Sequence, residues 1–409
     1  MIKPGTVLTL RYGNKIRIGS VYGAGGEGVV HEAVEKKSGQ PGAYKVIKNV
    51  SPDKTRRTQF LVDLRLGDTS ELFCAPTDYY DNGHLGHFSP WAPGTSLEQH
   101  LETPGSVYFE TYKLAIAYCH AHALLNQRGV AQGDPSLTNT NVNAAATGME
   151  IHLFDFDNFH AAGSPPPTAF GQDDRMAPEL RCALRGGPPA CPDEYSDRYA
   201  ITTVVHDMLL AKSVASGFDN SPEEFERAMS GGWPHDPVRG PSPPDSGGYP
   251  STILNAELAG LFRRGLSANR QERPSPMEWT RVLSEHFRLL WVDPRCQGPS
   301  FIDPGKTHCP ICGRPFPTYK LVFPALRKEI VCDTAAVVIG RTELPSPKVS
   351  GLHAVVRKLG QETRLQSHGR NGTYRWNGNQ WKRLETEAIL QRHDRLRLGD
   401  VEGVVEEVT

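Results

Sequence analysis

The sequence predicts an α+β chain: a curled antiparallel sheet, then a helical region, a short cysteine-bearing link and a second, all-β domain. Three observations predict it. Residues 5–50 alternate in the strand manner; apolar residues then recur at helical spacing from Tyr108 to Gln127, in 197–211 and in 276–291; and from Tyr319 onward the pattern is strand-like to the end. A chain of 409 residues exceeds what one core usually supports, so two or three folded units are expected. The boundaries are read at 1–290, with a division near 90, then 291–317 and 318–409.

Val7, Leu8 and Leu10, then Ile16, Ile18 and Val21, then Val29 to Ala33, then Tyr44 to Ile47 supply the strands of the first sheet. Leu114, Ala115, Ile116, Tyr118, Ala121 and Leu124 mark the buried side of the first long helix. Between Ser213 and Ser251 the chain is dense in Gly, Pro, Ser and Asp, including GPSPPDSGGYPS, which predicts an exposed loop between helices. After Trp291 the pattern changes to Pro, Cys and Gly punctuation. No internal repeat is present.

Lys plus Arg total 45 against 46 for Asp plus Glu, a net charge of −1 that gives no electrostatic reason to expect nucleic-acid or membrane-surface binding. Small molecules or proteins are the expected partners. No apolar run has the length of a signal peptide or approaches the roughly 18 residues of a membrane span, so a cytoplasmic location is expected. Eight cysteines with a single Cys-x-x-Cys pair suit reduced thiols and one metal site better than a disulfide framework.

Gly23-Ala-Gly25-Gly-Glu-Gly28-Val-Val30 matches GxGxxGxV, where missing side chains let backbone N–H groups approach nucleotide phosphates. It lies between two strands rather than before a helix, which argues against a dinucleotide-binding turn and for a covering loop. Ala43-Tyr-Lys45-Val-Ile follows on the next strand. Further on come Gly133-Asp134-Pro-Ser-Leu-Thr-Asn139, the apolar strand Ile151-His-Leu-Phe-Asp155-Phe-Asp157, Met176-Ala-Pro-Glu179, Ser196-Asp197, and Asn269-Arg-Gln-Glu-Arg273-Pro-Ser.

In order and spacing these segments resemble the eukaryotic-like Ser/Thr protein kinases over about 15–290, implying a bilobal fold and ATP and magnesium as cofactors. The resemblance implies that Gly23, Gly25, Gly28, Val30 and Ala43 surround the nucleotide and that Lys45 holds its α- and β-phosphates. Asp134 would accept the proton of the attacking hydroxyl, and Asn139 and Asp155 would hold magnesium. Asp197 would hydrogen-bond the catalytic-loop backbone, and Arg273 would pair with Glu179.

Four departures bear on catalysis. No glutamate lies between Lys45 and Glu71 to pair with the lysine, leaving Asp63 or another arrangement; Ser136 stands for the usual lysine, Gln132-Gly133 for His-Arg, and Asp157 for a glycine. A catalytically silent adaptor is therefore the alternative to an active kinase.

Cys309-Pro-Ile-Cys312-Gly is a zinc-knuckle sequence, with Cys296 as third ligand and His308 taken as the fourth over Cys332. Gly340-Arg341, Ser350-Gly-Leu-His353, Asn371-Gly-Thr373, Asn377-Gly378 and Leu398-Gly399-Asp400 together resemble a forkhead-associated (FHA) domain, a β-sandwich whose end loops bind phosphothreonine. The resemblance implies that Arg341 and Ser350 bind phosphate, that Asn371 holds the peptide backbone and that His353 braces the loops. Arg370 replaces a frequent Ser or Thr contact. Phosphothreonine-containing proteins are then the expected partners. The whole arrangement also resembles kinases of bacterial tellurite-resistance and stress systems, which act with a von Willebrand A-type protein and a metal-dependent Ser/Thr phosphatase.

Overall fold

A computed structural model describes the chain apart from residues 1, 104–106, 146–147, 168–170, 240–242, 244–245, 294, 304–305, 333–335 and 409. Helices and several antiparallel sheets divide between two compact units, one comprising Met1–Ser251 with Glu257–Arg288 and the other Thr252–Ala256 with Leu289–Thr409.

The first unit opens with strands β1 (Val7–Thr9), β2 (Lys15–Ala24), β3 (Gly28–Glu35) and β4 (Pro41–Ile47), joined by β5 (Asp78–Tyr80) and β6 (Gly86–Pro90) in the order β1-β2-β3-β4-β6-β5. Alternation along β2 turns Ile16 and Ile18 inward and Lys15 and Arg17 outward, and the inward set packs with Leu8, Leu10, Ala33, Tyr44 and Phe88. Helix α1 (Pro52–Asp63) follows, started by Ser51, whose hydroxyl accepts the Lys54 N–H, and by a proline at the first position.

The helical part is organised around Tyr108–Gln127, which packs against Pro276–His286 and Glu194–Leu210. Leu114, Ala115, Tyr118 and Leu125 of the first helix are fully buried, each leucine contributing roughly 1.5–3 kcal/mol. Asp193 and Ser196 form a reciprocal capping box that starts Glu194–Leu210. A hairpin, Thr140–Ala145 with Gly148–Leu153, links the segments that carry Asn139 and Asp155.

Two expectations are corrected. The stretch 213–251 is not an exposed loop: it contains the helix Pro222–Met229, with Ser221 as cap and proline at its start, and buries Met229 and Trp233. Part of GPSPPDSGGYPS lies outside the described residues. The helical spacing read across 276–291 ends at His286, and Leu290–Val292 is a strand.

In the second unit a six-stranded sheet runs in the order Lys328–Val331, Tyr319–Phe323, Val401–Glu407, Arg395–Leu398, Thr373–Trp376, Trp381–Arg383. A four-stranded sheet runs Val337–Ile339, Ala354–Leu359, Glu362–Ser367, Glu387–Ile389. Leu321, Phe323, Leu396 and Val405 of the larger sheet share one core with Ile339, Val356 and Leu365 of the smaller. A short pair, Leu290–Val292 with Pro299–Phe301, precedes them, and the Trp291 ring meets Phe316 edge-on at 5.3 Å. Lys306 draws Thr252–Ala256 into this unit: its ammonium donates to Ile253 O at 2.8 Å, Leu254 O at 2.9 Å and Phe301 O at 3.2 Å.

Candidate functional site

β2 and β3 join through a glycine turn in which Gly25 N donates to Gly28 O at 2.9 Å. A side chain on Gly28 would strike Val46 O at 2.5 Å, whereas Gly23, Gly25 and Gly26 face open space and leave room for a ligand beside the backbone. Val30 pairs with Lys45 across β3 and β4. Val30, Ala43, Lys45, Trp91 and Asp155 help line a cavity of about 420 Å³, within the range of small-molecule sites.

Lys45 Nζ lies 2.9 Å from Asp155 Oδ1 and 2.7 Å from Asp157 Oδ2. Burial alone would lower the lysine's pKa, but attraction to Asp157 and Asp155 outweighs it and holds the ammonium charged. Asp134 and Asn139 also meet: the Asn139 amide donates to Asp134 Oδ2 at 2.9 Å and to Asp134 O at 3.0 Å, leaving Asn139 Oδ1 without a protein partner among the described residues. Gln172 N donates to the other Asp134 oxygen at 3.2 Å. Burial pushes the Asp134 carboxyl above its ordinary range. The two groups adjoin along the backbone, since Phe154 N donates to Asn139 O at 3.2 Å and Asp155 follows.

Supporting residues explain two of the sequence departures. Gly133 has φ +82°, and a side chain there would meet Asn158 O at 1.9 Å, so no arginine fits. Ser136 is fully buried and its hydroxyl accepts the Asn139 N–H at 3.1 Å, so it shapes the loop rather than lining the cavity. Asp197 accepts from Gln132 N at 2.6 Å and Gly133 N at 3.0 Å. Arg273, with its side chain wholly buried, grips Glu179 through two parallel bonds of 2.8 and 2.7 Å. Asp63 does not reach Lys45; it accepts the Tyr12 hydroxyl at 2.5 Å.

In the second unit, Cys296, Cys309, Cys312 and Asp293 bring three sulfurs and a carboxylate oxygen within 4.8 Å of one another, a cluster that could hold a metal ion. The Cys296 and Cys309 sulfurs are 3.7 Å apart, close to the ~3.8 Å edge of a tetrahedron with ~2.3 Å metal–sulfur bonds. Arg295 fixes the Asp293 carboxylate at 3.0 and 2.7 Å. His308 is not in the cluster: beside buried Cys309 it points outward, and its Nδ1 is 2.8 Å from Thr307 Oγ1. Adjacent residues in extended backbone face opposite ways, which is why His308 and Cys309 cannot share an ion. Cys332 is part of the apolar core.

The remaining expected residues gather around His353, which is fully buried. Its Nδ1 accepts the Ser350 N–H at 3.1 Å and its Nε2 donates to Gly372 O at 3.1 Å. Ser350 Oγ accepts the Arg370 N–H at 3.2 Å, and the Asn371 amide donates to Lys348 O at 2.8 Å. Arg341 Nε donates to Val349 O at 3.0 Å, while its terminal nitrogens carry no protein hydrogen bond among the described residues and the side chain is exposed. Such a loop cluster, with forked donors outward, can receive an anion.

Compared with known proteins, the chain matches no family model and no curated protein. Sequence reasoning missed Asp293, Tyr22 and Trp91, and saw in Asp157 only a lost glycine. Asp293 had a signal, since it precedes Cys296 by the same interval that separates Cys309 from Cys312. Tyr22 and Trp91 meet edge-on at 4.7 Å on the cavity wall and had none.

Proposed function

We propose that this chain is an ATP- and magnesium-dependent Ser/Thr protein kinase of bilobal fold, joined to an FHA β-sandwich that captures phosphothreonine-bearing partners or its own phosphorylated segments. One observation carries the reading: Lys45 and Asp155 meet on the wall of a nucleotide-sized cavity, with the Asp134–Asn139 pair adjoining Asp155. Among those partners a von Willebrand A-type protein and a metal-dependent phosphatase fit the resemblance.

In this reading the Lys45 ammonium receives the α- and β-phosphates, and the Tyr22–Trp91 pair flanks the base. Asn139, through its unused Oδ1, and Asp155 would hold magnesium, which supplies charge neutralisation on the phosphates when bound. Asp134 accepts the proton of the attacking hydroxyl, and its burial makes it a stronger base than an exposed aspartate. Arg341 and Ser350 receive the phosphate of the recognised peptide, and Cys296, Cys309, Cys312 and Asp293 would hold a structural zinc ion.

Ser136 and Gly133, which put no cation beside the cleft, favour the adaptor alternative. The test is incubation of the purified chain with labelled ATP and magnesium. Label transfer lost in both Lys45→Ala and Asp134→Ala supports the kinase; nucleotide binding without transfer leaves the adaptor. Capture on immobilised phosphothreonine peptide should be lost in Arg341→Ala, and equal retention would remove the reader role.

A further inference from the structure

Helix α1 offers Lys45 no acid. Its two carboxylates are engaged elsewhere, Asp53 with Arg56 and Asp63 with the Tyr12 hydroxyl. The acid at 2.7 Å from Lys45 is Asp157, which also meets His87 Nε2 at 3.0 Å. We propose that Asp157 is the positioning residue that holds Lys45 toward the nucleotide cavity, in the role the kinase resemblance gives to a glutamate of that helix. The proposal rests on the nucleotide-binding reading above.

The two carboxylates beside Lys45 differ in a way that divides their work. Asp155 is 39% exposed and lines the cavity, where a metal ion could claim it. Asp157 is 17% exposed and does not line that cavity, so it remains with the lysine whatever occupies the space. An aspartate next to a buried lysine also saves that lysine from facing a low-dielectric wall alone.

Helix α1 still takes part, with the opposite charge. Its Arg57 is buried and donates to Asp157 O at 2.8 Å, to Phe159 O at 2.7 Å and to Pro165 O. The guanidinium lies 4.7 Å over the Phe159 ring, which stacks on Phe60 of the same helix. The helix therefore grips the main chain that carries Asp157, and Asp157 grips the lysine. The link between helix and lysine is kept, but it passes through the segment after Asp155.

The test uses the full chain and two ligands, a non-hydrolysable magnesium–ATP analogue and adenosine, which has no phosphates for Lys45 to meet. Asp157→Asn should weaken the analogue by ~10-fold, the size of one lost charge-assisted contact, while adenosine binding stays unchanged. Asp157→Glu should recover part of the loss. In a Lys45→Met background, Asp157→Asn should change analogue affinity by less than ~2-fold, since a positioning residue has nothing left to position. Unchanged analogue affinity in Asp157→Asn, parallel loss of both ligands, or full additivity with Lys45→Met would overturn the inference and leave the kinase reading standing. A wild-type chain that binds neither ligand would overturn both.

Discussion

In the first unit, Lys45, Asp134, Asn139, Asp155 and Asp157 come from a strand and two distant loops, and several of them hold one another through charge. In the second, Arg341, Ser350, Arg370 and Asn371 lie within 341–371 and are fixed by main-chain hydrogen bonds around one neutral, buried histidine. The first arrangement spends much of its charge internally, so a charged ligand there competes with the protein's own ion pairs. The second keeps its guanidinium unspent and needs only to stay in shape. Charge-coupled sites should therefore fail when a partner is removed or titrated, and main-chain-braced sites when the brace is cut.

The sharpest break in the comparison is expected at Arg273. Arg273→Ala leaves Glu179 facing a partly buried pocket without its counter-charge, and should cost roughly 3–5 kcal/mol by chemical denaturation. A cost below about 1 kcal/mol would rank the pair with exposed surface ion pairs and weaken the view that charge organises this unit. Next is His353→Ala, which orphans the Ser350 N–H, leaves the Gly372 carbonyl with the Gly399 N–H as its donor, and should cost on the order of 2 kcal/mol. Phosphothreonine-peptide capture should fall with it; intact stability and capture would show that the loops need no brace.

The third effect concerns pH. Burial raises the Asp197 carboxyl to about 8, although the Gln132 and Gly133 N–H groups pull the other way. With the folded pKa above the unfolded one, this group's contribution is complete below about pH 4 and is lost as pH rises through about 8. Asp197→Asn cannot ionise, so its stability should decline less than the wild type's between pH 5 and 8. Identical slopes would show that the two backbone donors already keep the native carboxylate charged at pH 5.

Much of this was legible in the sequence where local pattern and long-range order agree. The helix over Tyr108–Gln127 was signalled by its recurring apolar residues, and the Arg273–Glu179 pair, far apart in the chain, was anticipated through the family resemblance of the two motifs that carry it. Asp157 was read as a loss because its partner is chosen by the path of the backbone: past Asp155, which has φ +55°, the chain brings a second carboxylate to the same lysine. Asp293 was missed because metal patterns are usually counted in cysteine and histidine. Helix Pro222–Met229 was hidden by the glycine and proline around it, although Ser221-Pro222 with two glutamates following is a helix start.

The clasp at Lys306 bears on how the chain can be dissected. Thr252–Ala256 belongs to the second unit although the residues on either side of it belong to the first. An expression fragment beginning at Leu289 would omit that pentapeptide and strip the Lys306 ammonium of two of its three carbonyl acceptors. Studying the C-terminal unit by itself would thus call for the missing strip to be supplied as a peptide or grafted onto the fragment.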